Sequence, residues 1–195
     1  MKLKLSRFLS DGAVLQKDER IPVRGMGTPG KQVRAVLKKS AAMTLRAGFH
    51  SGENVNSGEA VTSGETVVSE DGRFCLELDP LPVGGPYELC VTQEENSVKV
   101  SDLLIGAVWY VSGQSNIDVD MERCRDSYPE IIRSCQDDGL RAFRITEHAD
   151  YHGPLDEPLT GEWKKAGPDS ILGFSATGYF FARALREMTG IPVGF

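Results

Sequence analysis

Ser115 stands in a short segment whose residue types suit nucleophilic catalysis. The segment Ser112-Gly113-Gln114-Ser115-Asn116 is small and polar, and it directly follows the apolar run from Ile105 to Val111. Such a run, rich in β-branched and aromatic residues, predicts a strand buried on both faces, as in a parallel sheet covered by helices. Ligands of open α/β sheets bind at the carboxyl ends of the strands, so the Ser115 hydroxyl is placed for acyl transfer.

The neighbours of Ser115 have predicted roles of their own. Gly113 allows the backbone to bend and a substrate to approach, and Gln114 and Asn116 shape the turn and are candidate substrate contacts. If residues 116–125 open a helix, the Ser115 N–H can stabilise an oxyanion. A plain hydrophilic turn is the alternative. The nucleophile elbow of α/β-hydrolases does not fit, because Ile117 stands where a glycine is required.

Two parts of the sequence resemble one enzyme family. Gly106-Ala107-Val108-Trp109 followed by Ser112-Gly113-Gln114-Ser115-Asn116 resembles the nucleophile block of sialate O-acetylesterases, which are carbohydrate esterases of the SGNH-hydrolase type. The usual block has Asp in place of Ala107 and Met in place of Ile117. Residues 8–16 and 21–25 resemble the opening of the same esterases. The resemblance implies that Ser115 attacks acetyl esters of sugars such as sialic acid, without a metal or an organic cofactor.

A serine esterase also needs a general base beside its nucleophile. The resemblance implies that an Asp-x-x-His motif supplies it, and none of the three histidines, His50, His148 and His152, has an aspartate three positions earlier. His148 and His152 have the spacing of helical metal ligands, but the following Gly-Pro pair argues against a helix there. We therefore expect loop histidines, no metal site and negligible esterase turnover by this chain alone.

Residues 1–101 predict a β-sandwich domain, because short strands are separated by turn signals at regular spacing. Alternation places two sets of side chains in its core: Phe74, Leu76 and Leu78, then Tyr87, Leu89 and Val91. Residues 40–66 are rich in Gly, Ser and Glu, with Ser-Gly-Glu beginning at Ser51, Ser57 and Ser63. They resemble an insertion into this domain, and either a flexible loop or a small hairpin fits them.

Residues 102–195 predict the first part of an SGNH-hydrolase-like α/β domain, a doubly wound parallel sheet that stays incomplete. Strands are expected at 105–111, at 140–145 and from 191. A helix or irregular cover interrupted by Pro129 is expected over 121–135, and a long loop over 147–170. A clear helix is expected between the N-cap Ser175 and Gly190, with Phe181, Leu185 and Met188 facing the core. An incomplete sheet leaves an open edge, so we expect a fragment, or a chain completed by a partner or oligomer.

Composition excludes several classes of protein. With 195 residues, 40% of them hydrophobic and 26% charged, the chain is typical of globular proteins. A net charge of −6 argues against nucleic-acid binding. No run approaches the ~20 apolar residues of a membrane span. The N-terminus does not read as a signal peptide, which favours the cytoplasm; export or the periplasm stays open if a signal peptide was removed.

The four cysteines, Cys75, Cys90, Cys124 and Cys135, lack metal-binding spacing. Reduced thiols are expected, although a bridge between Cys75 and Cys90 would suit an exported protein. The prediction for function is a sialate O-acetylesterase-like serine esterase. Two alternatives remain open, namely a non-catalytic glycan- or protein-binding β-sandwich protein and an acetylxylan-type esterase with the same block around Ser115.

Overall fold

The computed structural model describes residues 2–40, 59–146, 152–153 and 155–195, where the chain is mostly β-sheet with few helices. The strands are β1 (Lys4–Leu5), β2 (Val14–Gln16), β3 (Ile21–Met26), β4 (Gln32–Lys39), β5 (Ala60–Val67), β6 (Arg73–Leu78), β7 (Gly84–Gln93), β8 (Asn96–Val108), β9 (Asp137–Phe143), β10 (Trp163–Ala166) and β11 (Val193–Gly194). The α-helices are α1 (Ser115–Asp118), α2 (Pro129–Ser134) and α3 (Ala176–Thr189), and Met121–Cys124 and Ile171–Gly173 form 3-10 helices. No helix in these ranges is long and apolar enough to cross a membrane.

Two sheets contribute side chains to the first hydrophobic core. One has the strand order β1-β3-β6, and the other has eight strands that include β8, β7, β4 and β5 as successive neighbours. The core faces predicted for β6 and β7 are confirmed, because all six of their side chains are buried. The period-two pattern was sufficient here because each strand has one face on the core and one face towards solvent.

Part of the segment predicted as an insertion is a regular strand. Residues 60–66 belong to β5, which pairs antiparallel with β4 from Gln32↔Val67 to Lys38↔Ala60. Residues 41–58, including the first two Ser-Gly-Glu copies, lie outside the described residues. All four cysteines are free, so the structure does not contain the alternative bridge between Cys75 and Cys90.

β8 runs through both halves of the chain. The predicted division between residues 101 and 102 falls within this strand. Its last residues pair in parallel with β11, β11 pairs in parallel with β9, and β9 pairs antiparallel with β10. The expectation that the strand extends to Val111 and stays buried is wrong, since β8 ends at Val108 and both Trp109 and Tyr110 are exposed. The partner strand β11 is short, and its last residue, Gly194, accepts a hydrogen bond from the Trp109 N–H at 2.9 Å.

The other elements of the second half follow the sequence only in part. The cover over 121–135 is confirmed as a 3-10 helix and then α2, which has Pro129 in its first turn, where a missing N–H is tolerated. The expected strand at 140–145 begins earlier and ends earlier, as β9. The expected loop over 147–170 contains β10, which was missed because Trp163-Lys164-Lys165-Ala166 has no alternation of apolar and polar residues.

Helix α3 has the predicted ends but not the predicted buried face. Ser175 is its N-cap, and Gly190 follows its last residue with φ 69°. Of the side chains expected in the core, Leu185 is partly buried against the core that includes Tyr179 and Ala182, whereas Phe181 and Met188 are exposed. The face on the sheet is instead made of Ala176, Gly178, Tyr179 and Ala182. These mostly small residues let the helix approach closely, and a Cβ at position 178 would lie 2.8 Å from the ring of Phe195.

Arg141 on β9 connects the two halves. Its side chain is fully buried and donates hydrogen bonds to the carbonyl oxygens of Gly12, Asp102 and Asp138 at 2.6–2.8 Å. It also reaches the Asp102 carboxylate at 3.1 Å, which Lys165 contacts at 2.9 Å from the solvent side. Burial lowers the pKa of Arg141 and Asp102 opposes that shift. A buried guanidinium with this many acceptors fixes β9 against β8 and the segment before β2.

Arg141→Met should therefore destabilise the fold strongly. The carbonyl groups of Gly12, Asp102 and Asp138 lose their donor, and the Asp102 carboxylate keeps only Lys165. Breaking a buried pair of this kind costs about 3–5 kcal/mol of unfolding free energy. Lys165→Met is the matched control, because it removes the solvent-side partner of the same carboxylate and should cost less than about 1 kcal/mol. Urea unfolding measures both, and similar losses in the two variants would contradict the role given to Arg141.

Candidate active site

Ser115 is the first residue of α1, the single helical turn that follows the end of β8, and it is exposed. It lines an open cleft of about 1090 Å³ together with Gly113 and Gln114. The walls come from the end of β8, the end of β9, the residues before α3 and the segment before β2. Ser115 thus lines a cleft beyond the end of a strand, and its role as the nucleophile stays a prediction.

The turn around Ser115 is tight. The amide nitrogens of Ile117 and Asp118 both donate to the carbonyl of Gln114, at 2.9 and 3.1 Å. A Cβ at Gly113 would lie 2.7 Å from Cγ1 of Ile117, so a larger residue there would displace the turn. Among the described residues, no acceptor faces the Ser115 N–H. Of the options that the sequence left open for residues 116–125, the structure has a short helix, α1, which ends at Asp118 because Val119 is extended.

Two hydroxyl groups at the start of α3 fix this turn, and sequence reasoning missed their role. Ser175 Oγ donates to the carbonyl of Ile117 at 2.5 Å and accepts from the Gly178 N–H at 3.3 Å. Thr177 Oγ1 donates to the carbonyl of Asn116 at 3.1 Å. Asn116 itself does not line the cleft, and its role as a substrate contact stays a prediction. The N-cap pattern indicated Ser175, but no local signal links it to a turn 58 residues earlier.

The charged side chains that line the cleft, Asp118 and Arg144, are paired with each other. Arg144 Nη2 lies 2.8 Å from Asp118 Oδ1, and Arg144 Nη1 donates to the carbonyl of Gly173 at 3.1 Å. This pair ties α1 to the end of β9, and it leaves the lining of the cleft with no net charge. Most of the remaining wall is aromatic or aliphatic, as in sites that bind organic ligands.

The histidines do not supply a base to this cleft within the described residues. His152 is exposed and does not line the cleft, while His50 and His148 lie outside the described residues. Within those described ranges, no group of three or more His, Cys, Asp or Glu side chains could hold a metal ion. The site therefore has a candidate nucleophile, Ser115, and a cleft, and no histidine among the described residues that line the cleft.

Cys135 is a poor rival for the role of nucleophile. It is buried under α3, where Tyr179 Oη lies 3.7 Å from its sulfur. Burial raises the pKa of the Cys135 thiol, and it raises the pKa of Tyr179 to about 12. A catalytic cysteine needs the opposite shift and access to solvent. The exposed Ser115 hydroxyl is the better candidate.

An exposed serine on a tight turn after a strand, beside a largely apolar cleft, is compatible with nucleophilic catalysis by its hydroxyl. No family model matches the chain. Over 98% of its length the chain is 24% identical to the sialate O-acetylesterase of Mus musculus and 23% identical to that of Homo sapiens. It is also similar to the crystal structure of a carbohydrate acetylesterase from Xanthomonas citri, with a TM-score of 0.82 and 30% identity over 98% of the chain.

These matches confirm the predicted resemblance to sialate O-acetylesterases, and they cover nearly the whole chain. The chain spans only 34–36% of the length of the two curated relatives and 39% of the Xanthomonas citri structure. The relatives are therefore carbohydrate esterases to which this chain corresponds in part. The activities of these relatives are therefore assigned to this chain only as a proposal.

Removing the Ser175 hydroxyl should loosen the turn that carries Ser115. Ser175→Ala loses the helix cap and the bond to Ile117, and a cap alone is worth about 0.5–2 kcal/mol of stability. Thr177→Val loses a single, more exposed hydrogen bond, so it should cost less, about 0.5–1 kcal/mol. Ser175→Thr keeps a hydroxyl and serves as the control. Urea unfolding gives the costs, and amide exchange at residues 116–118 should accelerate most in Ser175→Ala. Equal amide exchange in all three variants would contradict the role of the Ser175 hydroxyl in fixing the turn of Ser115.

Proposed function

We propose that this chain forms the nucleophile-bearing portion of a serine esterase that removes O-acetyl groups from sugars such as sialic acid. The observation that carries the proposal is the position of Ser115, exposed on a tight turn in a cleft of about 1090 Å³. The relatives named as sialate O-acetylesterases and as a carbohydrate acetylesterase support the substrate class.

The fold proposed for this portion is a β-sandwich over residues 1–101 and the first part of an SGNH-type sheet over residues 102–195. The two core clusters support it, because one draws on residues between Leu3 and Ile105 and the other on residues between Met121 and Val193. The parallel pairing of β11 with β8 and β9 also supports it. Elsewhere in this sheet, β7 with β8 and β9 with β10 pair antiparallel.

In the proposed reaction, Ser115 Oγ attacks the carbonyl carbon of the acetyl group, and its proton passes to a general base. The tetrahedral intermediate carries its negative charge on the former carbonyl oxygen, towards which the Ser115 N–H can donate. One such donor is worth about 10²–10³ in rate. The bond to the sugar oxygen then breaks, and that oxygen takes the proton. Water hydrolyses the acetyl-serine to acetate and restores the hydroxyl.

The base remains the missing component. The sequence has no Asp-x-x-His motif, and the described residues that line the cleft include no histidine. We propose that a polypeptide corresponding to the part of the relatives not spanned by this chain supplies the base, either in a longer protein or from a partner chain. The chain by itself then has a nucleophile that is in place but not activated.

The test uses the chain alone and a chimera. In the chimera, the chain is followed by the part of the Xanthomonas citri enzyme that the chain does not cover. We expect acetate release from O-acetylated sialic acid by the chimera and negligible release by the chain. Ser115→Ala should lower kcat/KM of the chimera by at least about 10³-fold, because it removes the attacking group. Acetylated xylan as a second substrate separates the two esterase alternatives.

Serine substitutions nearby provide the control. Ser112→Ala changes another exposed serine of the same turn and should leave kcat within a few-fold of the parent chimera. Robust hydrolysis by the chain alone that disappears in Ser115→Ala would show that a histidine of this chain is the base. Sugar binding without hydrolysis by a folded chimera would instead favour the non-catalytic binding protein.

A further inference from the structure

The cleft of Ser115 has one aromatic wall that comes from far away in the sequence. Phe8, in the segment before β2, lines this cleft with 44% of its surface exposed. Its ring packs on Phe143 of β9 with centroids 5.1 Å apart, and Phe143 packs on Trp163 of β10 at 5.6 Å. A large aromatic side chain that is packed on one side and open to a cleft on the other presents a flat apolar surface to a ligand.

Phe8 is held firmly in this position. Trp163 Nε1 donates to the Phe8 carbonyl at 2.8 Å, and the next residue, Leu9, is buried in the first core. On the other side, Glu157 Oε2 accepts from Ser6 Oγ at 2.8 Å and from the Arg7 N–H at 3.3 Å. The segment is thus fixed to β10 and to the residues that precede it, so little ordering entropy is left to be lost when a ligand packs on the ring.

The chemistry of this wall suits the ring of a sugar. One face of a pyranose ring is made of C–H groups, which pack on an aromatic ring, while its hydroxyl and ester groups stay free at the edge. The charges of the cleft lining, Asp118 and Arg144, neutralise each other at 2.8 Å. The uncharged C–H face of a sugar ring needs no charged partner in this lining.

We infer that Phe8 is a substrate-binding residue that holds the pyranose ring of an O-acetylated sugar while its ester reaches Ser115. The inference rests on the proposed function and adds a subsite to it. It gives the N-terminal segment a direct part in recognition, because Phe8 lines the same cleft as Ser115. Shape and aromatic contact at Phe8 then select for a ring, and Ser115 selects for the ester.

The test measures binding of a sugar to the chain with Phe8 altered. Phe8→Leu keeps an apolar side chain against Phe143 but removes the flat ring, and Phe8→Tyr restores a ring. Phe181→Leu is the matched control, because Phe181 is 42% exposed and packs on Trp109 at 5.1 Å, yet does not line the cleft. Saturation-transfer NMR with O-acetylated N-acetylneuraminic acid and with an acetylated xylo-oligosaccharide gives the affinity and the sugar protons in contact.

We expect Phe8→Leu to weaken binding about three- to tenfold, the range of an aromatic contact. Phe8→Tyr and Phe181→Leu should bind within twofold of the parent, and urea unfolding verifies that all variants fold. The inference is overturned if Phe8→Leu binds as well as the parent, if Phe181→Leu loses as much, or if the parent binds neither sugar. Failure of the proposed function gives a different pattern, in which binding depends on Phe8 while the chimera shows no hydrolysis that depends on Ser115.

Discussion

The structure depends on β8 being a single strand with different partners along its two edges. The nitrogen of Leu104 donates towards the segment before β2, at 3.0 Å from the Ala13 oxygen, whereas the nitrogen of Ala107 donates to Pro192, before β11, at 2.9 Å. Through these two hydrogen bonds, β8 joins the part of the chain that contributes to the first core to the part that contributes to the second core. A Cβ at Gly106 would lie 2.2 Å from the Pro192 oxygen, so only glycine allows β11 this close. This contact fixes where the chain leaves β8 and therefore where the turn of Ser115 lies.

The position of Ser115 is controlled from elements that follow it in the chain. The start of α3 holds this turn through Ser175. Its Oγ caps α3 and also donates a hydrogen bond to the turn. Arg144 binds Asp118 from the end of β9. Two separate elements, the start of α3 and the end of β9, therefore meet on the four residues of α1, which by itself is too short to be stable. The rigidity that a nucleophile requires is supplied by tertiary contacts rather than by local helix propensity.

Sequence reasoning succeeded where the determinant is local. The N-cap and stop of α3, the alternating core faces of β6 and β7, and the turn of Ser115 all follow from neighbouring residue types. It failed where the structure depends on a packing or pairing partner elsewhere in the chain. The stripe of Phe181 and Met188 has ideal helical spacing but faces outwards, because small residues at Gly178 and Ala182 allow closer packing on the sheet. The end of β8 likewise depends on the length of β11, which no pattern within residues 105–111 records.

The identity of the charged residues in the cleft also limits the chemistry of the site. Asp118 is three positions from Ser115, the spacing at which a helical neighbour could act on it, but its oxygen Oδ1 already accepts from Arg144. The contact makes Asp118 a brace between α1 and β9 rather than a group aimed at the Ser115 proton. A base must reach the hydroxyl within about 3 Å, and the described lining offers no other carboxylate and no imidazole. The proposed acyl transfer at Ser115 consequently requires a base from outside this set of side chains.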